Sequence, residues 1–175
     1  MNWKTAAAGR DEASDLLAGL APIIDGAARV LILGSFPSAA SLAAQQYYAH
    51  RHNQFWRILG VVFGRPLAEL DYAARQRALH AEGIAVWDVY RRCRRRGSLD
   101  AAIRDGEAND FAALRRQAPQ LRLACFNGGA AAKFAPRLAA LGYETVVLPS
   151  TSPAYTLPVA AKIMAWQAAL RSGPG

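Results

Sequence analysis

Four short, largely apolar runs constrain the fold of this chain more than any other feature of its sequence. They cover residues 29–33, 84–87, 121–126 and 145–148, and each is followed by glycine, proline or a polar residue. Runs of this length and β-branched content are typical of strands that are buried on both faces. Because helical patterns separate them, the chain predicts an α/β fold with a parallel sheet, right-handed crossovers and helices on both faces.

The rest of the pattern predicts one domain over residues 1–175, with a core from about 28 to 171. No internal repeat or low-complexity linker divides the chain. An N-terminal amphipathic helix is predicted at about 11–24, where Leu16, Leu17, Leu20 and Ile23 have helical spacing. Further helices are predicted over residues 55–63, 66–82, 110–117, 130–141 and 158–171, with a short one after Ser98.

The charge balance favours a polyanionic partner. Lys and Arg total 21 against 13 Asp and Glu, which gives a formal net charge of +8. Such an excess attracts nucleic acid. The alternative is that the basic balance reflects only the composition bias of an Ala- and Arg-rich chain.

Other classes of protein are disfavoured by what the sequence lacks. No run approaches the roughly 20 apolar residues of a membrane-spanning helix, and the N-terminus has no apolar core of a secretory signal. Two cysteines, Cys93 and Cys125, are too few for a disulfide scaffold or a four-cysteine metal site. We therefore expect reduced thiols, no metal, no membrane partner and a cytoplasmic protein.

Polar segments follow all four predicted strands at the point where each strand ends. They are residues 34–38, Asp88, Asn127 and residues 149–153. In an open parallel sheet, ligands bind in the crevice at the carboxyl ends of the strands. The sequence therefore predicts a binding site at this edge, and Asn127 either contacts the substrate there or ties its own turn.

Seven separate motifs carry a resemblance to a known family. They are GSFPS at 34–38, YYAH at 47–50, NQFW at 53–56, WDV at 87–89, GSLDAAI at 97–103, FNGGAAA at 126–132 and LPSTSPA at 148–154. From Val30 to about Trp166 the chain resembles the uracil-DNA glycosylase superfamily, and looks closest to its hypoxanthine-DNA (DNA-deoxyinosine) glycosylase branch. This resemblance implies a three-layer α/β/α sandwich with a central four-stranded parallel sheet. It also implies excision of a deaminated base from DNA in base excision repair, with no cofactor.

The resemblance also suggests residues for catalysis and for stacking on the base. An enzyme that acts on a base must extrude it from the duplex, and Phe55, the aromatic of NQFW, is the expected stacking face; the alternative is a core residue of its helix. Residues 35–38 contain no carboxylate or amide, so Asn53 is expected to orient water or to donate a hydrogen bond to the departing base. The alternative for Asn53 is a simple helix cap.

Asp88 is expected to read the hydrogen-bonding edge of the base, with Gly34, Ser35 and Phe36 beside it. The alternatives for Asp88 are a cap or an ion pair with Arg91 or Arg92. Arginines 91–96 form either a solvated face or a track for DNA phosphates. Contacts with DNA are expected from a further group of residues, in which Ser150 takes the place of the superfamily's usual imidazole: Ser38, His50, Ser150, Thr151, Ser152, Pro153, Ala154 and Tyr155.

The function predicted from these residues is that of a monofunctional glycosylase, excising hypoxanthine first and uracil or xanthine as further candidates. The three lysines, Lys4, Lys133 and Lys162, lie outside the motifs that would form the site, so no Schiff-base lyase step is expected. We expect a monomer that binds damaged DNA without an obligate protein partner. The alternatives are a non-catalytic nucleic-acid-binding or damage-sensing domain and an unrelated α/β hydrolase, which the absence of a GxSxG motif disfavours.

Overall fold

The structure, a computed structural model, describes residues 15–171. This part of the chain forms seven strands and seven α-helices, with short 3₁₀ helices at Leu67–Glu69, Asp100–Ala102 and Phe111–Ala113. The strands are β1 (Leu16–Ala18), β2 (Val30–Gly34), β3 (Ile84–Asp88), β4 (Tyr90–Arg94), β5 (Arg104–Ala108), β6 (Leu123–Asn127) and β7 (Glu144–Leu148). The helices are α1 (Ala39–Ala44), α2 (Phe55–Phe63), α3 (Tyr72–Ala81), α4 (Leu114–Gln117), α5 (Gly129–Ala132), α6 (Ala135–Ala140) and α7 (Val159–Arg171).

A four-stranded parallel sheet with the order β3-β2-β6-β7 forms the centre of the fold. Every residue of β2 is buried. Successive side chains of a strand point to opposite faces, so Val30 and Ile32 join one core cluster while Leu31 and Leu33 join the other. The predicted parallel sheet is therefore confirmed, and all four predicted strands belong to it.

Helices cover both faces of this sheet, as the three-layer prediction requires. On one face, buried side chains of α2, α3 and α7 pack on the sheet, among them Ile58, Leu79 and Trp166. On the other face, α4, α5 and α6 contribute residues such as Leu114 and Leu138. The prediction of an α/β/α sandwich is confirmed.

A second, antiparallel sheet with the order β1-β4-β5 was not predicted from the sequence. Only one residue separates its strand β4 from the end of β3. Its outer strand β1 lies within the predicted helix at 11–24, so that helix is wrong for the described residues 15–24; residues 11–14 lie outside them. Pro22 has no N–H to give a helix, and the segment instead pairs Leu17 with Cys93 and exchanges two hydrogen bonds between Ile23 and Val86.

Two predicted helices are each divided in the structure. Residues 66–82 form a 3₁₀ turn followed by α3, because the Asp71 side chain accepts a hydrogen bond from the N–H of Ala74 and starts a new helix there. Residues 130–141 form α5 and α6, and Pro136 lies in the first turn of α6. No helix among residues 15–171 is long and apolar enough to span a membrane.

Candidate active site

A cavity of about 270 Å³ opens at the carboxyl ends of β2, β3 and β6 and beside the loop after β7. Ligand pockets for drug-sized molecules run to roughly 300–1,000 Å³, so this cavity has the size class of a single small ring system. It brings together twelve of the fourteen residues expected at the site: Gly34, Ser35, Phe36, Ser38, His50, Asn53, Asp88, Ser150, Thr151, Ser152, Pro153 and Ala154. Phe55 and Tyr155 do not line it.

Asp88 brings a buried carboxyl to the cavity. The residue is only 4% exposed, and its Oδ2 has no hydrogen-bond partner among the described residues. The pKa of Asp88 is raised to about 7. Burial is the main cause, the nearby Asp100 adds to the rise, and Arg95 opposes it. The alternatives of an ion pair with Arg91 or Arg92 are not found, because both of those arginines pair with Glu107.

Gly34 gives the Asp88 carboxyl and the Tyr48 hydroxyl the space that they occupy. The parallel register places Gly34 directly beside Asp88. A Cβ atom on Gly34 would lie 2.5 Å from Asp88 Oδ1 and 3.0 Å from Tyr48 Oη. Any side chain at this position would therefore displace one of the two groups.

Tyr48 lines the cavity, whereas Phe55, which was expected to stack on the base, does not. Phe55 is fully buried, so the expectation that its ring stacks on a base does not hold in this structure. The Phe55 ring lies behind Tyr48, stacked on it with a centroid distance of 3.8 Å and an interplanar angle of 17°. The adjacent tyrosines of YYAH were the available signal, but sequence alone does not say which of several nearby aromatic residues faces a cavity.

The backbone holds Tyr48 in an unusual conformation. Its φ angle of 54° lies in the left-handed region, which is rare for a bulky side chain and is found mostly where the surroundings enforce it. Here the Asn127 amide donates a hydrogen bond to the Tyr48 hydroxyl oxygen over 3.1 Å, and the Ser41 hydroxyl accepts one from the N–H of Ala49. Burial, with the neighbouring Asp88, raises the pKa of Tyr48, so its hydroxyl stays protonated.

Asn53 caps α2, which was the alternative given for it, and it also lies in the cavity wall, where the proposed catalytic role would place it. Its Oδ1 accepts a hydrogen bond from the N–H of Phe55 at the start of α2, over 3.0 Å, and the residue also lines the cavity. The helix cap uses the amide oxygen. The amide nitrogen makes no hydrogen bond within residues 15–171, so its two N–H groups remain to serve a bound molecule.

The loop after β7 is fixed from two sides. Asn127 bonds Thr151 twice, through the Thr151 hydroxyl at 2.9 Å and the Thr151 N–H at 2.9 Å, so this asparagine ties two strand ends together. The buried Lys162 of α7 donates hydrogen bonds to the carbonyls of Ser152 and Tyr155. The Tyr155 ring lies 5.4 Å from the Lys162 ammonium, which accounts for its absence from the cavity wall.

The loop after β2 is tied to the turn between β4 and β5. Ser35 donates a hydrogen bond to Asp100, and the Ser98 hydroxyl accepts one from the N–H of Ala39. Ser98, Leu99 and Asp100 consequently line the cavity, although no role was predicted for them. The GSLDAAI motif of the sequence was the signal for this turn.

The arginine-rich cluster at residues 91–96, which was expected to be either a solvated face or a track for DNA phosphates, lies mostly in a strand. Most of it lies in β4, where Arg91 and Arg92 share the Glu107 carboxylate and Arg94 lies 3.6 Å from Asp105. Arg95 is only 5% exposed: it donates a hydrogen bond to the carbonyl of Pro37, and its guanidinium lies 5.1 Å from the Phe36 ring. Arg95 therefore supports the loop after β2.

These contacts define a class of protein: a three-layer α/β/α protein with a small cavity at the carboxyl ends of its strands. The wall offers an aromatic side chain, a buried carboxyl and an amide donor. Among residues 15–171 no group of three or more His, Cys, Asp or Glu side chains could hold a metal ion. The described side chains of the wall offer hydrogen-bond donors and acceptors.

Comparison with known proteins identifies the family. The model of the uracil DNA glycosylase superfamily matches residues 21–170, and the chain belongs to that superfamily. A hypoxanthine DNA glycosylase of Methanosarcina acetivorans is 43% identical over 136 residues, which cover 78% of this chain and 86% of the relative. One of Methanosarcina barkeri is 39% identical over 153 residues, which cover 87% and 97%.

A solved structure agrees with the fold. It is a solution NMR structure of a Methanosarcina acetivorans protein that carries the provisional name uracil DNA glycosylase. It superposes with a TM-score of 0.81 at 38% identity and covers 90% of this chain and 98% of its own. The resemblance expected from the motifs, to this superfamily and to its hypoxanthine branch, is confirmed.

Proposed function

We propose that this protein is a DNA glycosylase that hydrolyses the N-glycosidic bond of deoxyinosine, releasing hypoxanthine and leaving an abasic site. The observation that carries the proposal is the cavity wall, where the buried Asp88 carboxyl, with no protein partner for its Oδ2 among residues 15–171, lies beside the Tyr48 side chain. The two relatives named hypoxanthine DNA glycosylase support it, since this chain spans most of their length.

Tyr48 is the proposed stacking face for the extruded base. Stacking of a base on an aromatic side chain is worth about 1–3 kcal/mol. Phe55 backs the Tyr48 ring, and Asn127 holds its hydroxyl, so the ring is fixed before the base arrives. A ring that is already ordered loses little further entropy on binding.

Asp88 is the proposed reader of the base, and it acts in its neutral form. A protonated carboxyl offers one O–H donor and one carbonyl acceptor. Hypoxanthine presents the complementary pair, a C6 carbonyl acceptor beside an N1–H donor. A carboxylate would accept from N1–H but repel the carbonyl oxygen, on which negative charge develops as the base departs. Uracil and xanthine carry the same pair of groups, and we infer that they are further substrates.

Asn53 is the proposed catalytic residue. An attacking water forms the bond to C1′ while the bond to N9 breaks. The electron pair of the broken bond passes to the departing base, and the proton that the water loses ends on the base, which leaves as neutral hypoxanthine. The amide of Asn53 does not accept a proton near neutral pH, so it serves as a donor. Its N–H groups stabilise the negative charge on the base or orient the water, and the cap to Phe55 fixes their direction.

Hydroxyl groups and turn amides on two loops are the proposed contacts with the DNA backbone. Ser35 and Ser38 follow β2, and Ser150 and Ser152 follow β7; all four line the cavity. The expected contact of Thr151 with DNA does not fit this structure, because Thr151 is fully buried and its hydroxyl and N–H both bond to Asn127. Phosphate contacts of this kind position a protein on DNA without reading its sequence. His50, also on the cavity wall, accepts a hydrogen bond from the N–H of His52 at its Nδ1, which leaves Nε2 for a phosphate.

The test uses labelled oligonucleotides that contain hypoxanthine, uracil or xanthine, incubated with protein and then treated with alkali to cleave abasic sites. Two variants separate the cap from the chemistry. Asn53→Asp keeps an oxygen that caps α2 but has no N–H, whereas Asn53→Ala loses both. We expect wild-type cleavage at hypoxanthine, and loss of at least about 100-fold in both variants, the range in which a single transition-state donor acts.

The two outcomes that contradict the proposal are distinct. Binding of every oligonucleotide without cleavage would favour a non-catalytic damage-sensing domain. Wild-type activity in Asn53→Asp would remove the amide donor from the mechanism but leave the enzyme class intact. Circular dichroism and DNA-binding measurements on both variants control for loss of the fold.

We infer that the protein acts as a monomer in a reducing compartment, the cytoplasm. Cys93 and Cys125 are both buried and unpaired, which supports a reducing environment. Light scattering coupled to size exclusion tests the oligomeric state, and a mass of about twice the 18.8 kDa of the chain would contradict it.

A further inference from the structure

Lys162 is a buried lysine near the start of α7, behind the loop that follows β7. It is only 1% exposed, and it is the fourth residue of its helix. No carboxylate among residues 15–171 forms an ion pair with it. Lysine is almost never fully buried unless it is paired, and a cation near the positive end of a helix is unfavourable as well. Burial accordingly lowers the pKa of Lys162. A charge at this position therefore costs folding stability.

The Lys162 ammonium holds this loop by its carbonyl oxygens. It donates hydrogen bonds to the carbonyl of Ser152 over 3.3 Å and to that of Tyr155 over 2.7 Å. Trp166, one turn further along α7, donates to the carbonyl of Pro149 over 2.9 Å. Three carbonyls of the loop thus turn toward α7, whose residues do not line the cavity. The indole holds its carbonyl without a charge, so holding the loop does not by itself account for a charged residue at position 162.

The same loop presents two serine hydroxyls to the cavity. Ser150 and Ser152 both line it. The Ser150 hydroxyl accepts a hydrogen bond from the N–H of Ser152, and the Ser152 hydroxyl accepts one from the N–H of Ala154. A serine hydroxyl has one hydrogen and two lone pairs, so each serine keeps its own hydrogen for a bound acceptor. A nucleotide whose base fills the cavity carries such acceptors, the oxygens of its phosphate groups.

We propose that Lys162 is a positioning residue for the bound nucleotide: it fixes the loop after β7 and places a positive charge behind Ser150 and Ser152, where they meet a phosphate group. This inference rests on the proposed function and deepens it. The charge needs no direct contact with the phosphate, because charges attract each other over several ångströms more strongly in a protein interior than in water. The phosphate supplies the negative charge that Lys162 lacks among residues 15–171.

The test measures single-turnover cleavage of a hypoxanthine-containing duplex over a range of protein and salt concentrations. Lys162→Met removes the charge and the donors from a side chain of similar length. Lys133→Met is the matched control, because it lowers the net charge equally at an exposed lysine that does not line the cavity. We expect Lys162→Met to raise the half-saturating protein concentration about tenfold or more and to change the saturating rate less than about threefold. Its plot of log affinity against log salt becomes shallower by about 0.9, the contribution of one phosphate. In Lys133→Met all three quantities stay as in the wild type.

Two further measurements separate the charge from the support of the loop. Lys162→Gln keeps an N–H donor without a charge, and we expect the same shallower salt dependence as in Lys162→Met. Hydrogen exchange in peptides that span residues 149–158 becomes faster in Lys162→Met only, while circular dichroism confirms the fold of every variant.

The outcomes that overturn the proposal are wild-type affinity and salt dependence in Lys162→Met or Lys162→Gln, or an equal loss in Lys133→Met. If the wild type cleaves nothing, the proposed glycosylase function fails. Equilibrium binding of the same duplex, followed by fluorescence anisotropy, then tests Lys162 on its own, since the same shifts in affinity and salt dependence are expected there.

Discussion

Replacing Asp88 by asparagine removes a buried carboxyl that the cavity keeps near a second acid, Asp100. Burial is the main cause of its raised pKa, and Asp100 adds to it, with Arg95 opposing. The charge of Asp88 in turn raises the pKa values of the nearby Tyr47 and Tyr48. An amide of nearly the same shape carries no charge at any pH, so Asp88→Asn isolates the contribution of ionisation.

The sign of the change in unfolding free energy with pH follows from which state, folded or unfolded, holds the proton of Asp88. In the unfolded chain a carboxyl titrates near 3.8, and in the folded protein Asp88 titrates at about 7. Below the first value both states are protonated, and ionisation has no effect on stability. Between the two values the folded state holds a proton that the unfolded state has lost, so the stability of the wild type falls as the pH rises.

The magnitude of this loss of stability follows from the difference between the two pKa values. At about 1.4 kcal/mol per pH unit, a rise in pKa from 3.8 to about 7 makes the ionisation of Asp88 cost on the order of 4 kcal/mol of unfolding free energy above pH 7. The variant avoids this cost. Its buried amide nitrogen lacks a protein partner, however, which lowers the unfolding free energy by roughly 1–3 kcal/mol at every pH.

The assay is urea unfolding at pH 4, 5, 6, 7 and 8, followed by the fluorescence of the buried Trp56 and Trp166. We expect the unfolding free energy of Asp88→Asn minus that of the wild type to increase from pH 4 to pH 7 and to level off above it. Asp105→Asn is the control, because the Asp105 side chain is 75% exposed. A difference that is independent of pH, or that grows as the pH falls, would refute the reasoning.

Four further outcomes follow from the same contacts. Above pH 7 the glycosylase rate of the wild type falls about tenfold per pH unit as Asp88 ionises, while the rate of Asp88→Asn stays level with pH; a parallel decline in both proteins would contradict a neutral reader. Gly34→Ala places a Cβ atom 2.5 Å from Asp88 Oδ1, so we expect at least about tenfold lower kcat/KM with the secondary structure intact by circular dichroism. Tyr48→Ala loses roughly 5–150-fold in kcat/KM, the equivalent of 1–3 kcal/mol of stacking, and Tyr48→Phe keeps most of the rate. Phe55→Leu lowers the unfolding free energy by roughly 1–3 kcal/mol without changing the preference among hypoxanthine, uracil and xanthine.

The central sheet could be predicted from the sequence because its strands β2, β3 and β6 are almost wholly buried, and the partly exposed edge strand β7 is still mostly apolar. A strand of this kind reads as a continuous apolar run, and β2 is the example, with all five residues buried. The carboxyl ends of such strands meet at one edge by geometry alone. The position of the cavity therefore followed from the strands without knowledge of any side-chain contact.

The antiparallel sheet could not be predicted in the same way. β4 and β5 are rich in arginine, glutamate and aspartate, so neither shows the alternation of apolar and polar residues that marks a half-buried strand. Their pairing depends instead on long-range contacts such as that of Arg92 with Glu107. In β1, the spacing of Leu16 and Leu17 fits a helix as well as a strand, and only the open edge of β4 decides between them.

The choice between Phe55 and Tyr48 depends on a backbone angle that no sequence pattern displays. At its φ of 54° the Tyr48 side chain lines the cavity, and its ring covers the Phe55 ring. Phe55 and Trp56 of NQFW form the first turn of α2 and both pack inward, which places Phe55 in the core. Tyr48, which lies outside the helix, lines the cavity.

Asp88 weakens the fold and serves the proposed chemistry through the same property, its burial. The register of β2 and β3 places the Asp88 carboxyl beside Gly34, in space that only glycine leaves open. An amide there would avoid the cost of ionisation, and it would offer the same donor and acceptor to a base. The two differ in donor strength, because a carboxylic O–H gives a shorter and stronger hydrogen bond to a developing anion than an amide N–H does. A residue that destabilises the folded protein at neutral pH while pointing its unsatisfied oxygen at a cavity is the pattern expected of a group selected for chemistry rather than for the fold.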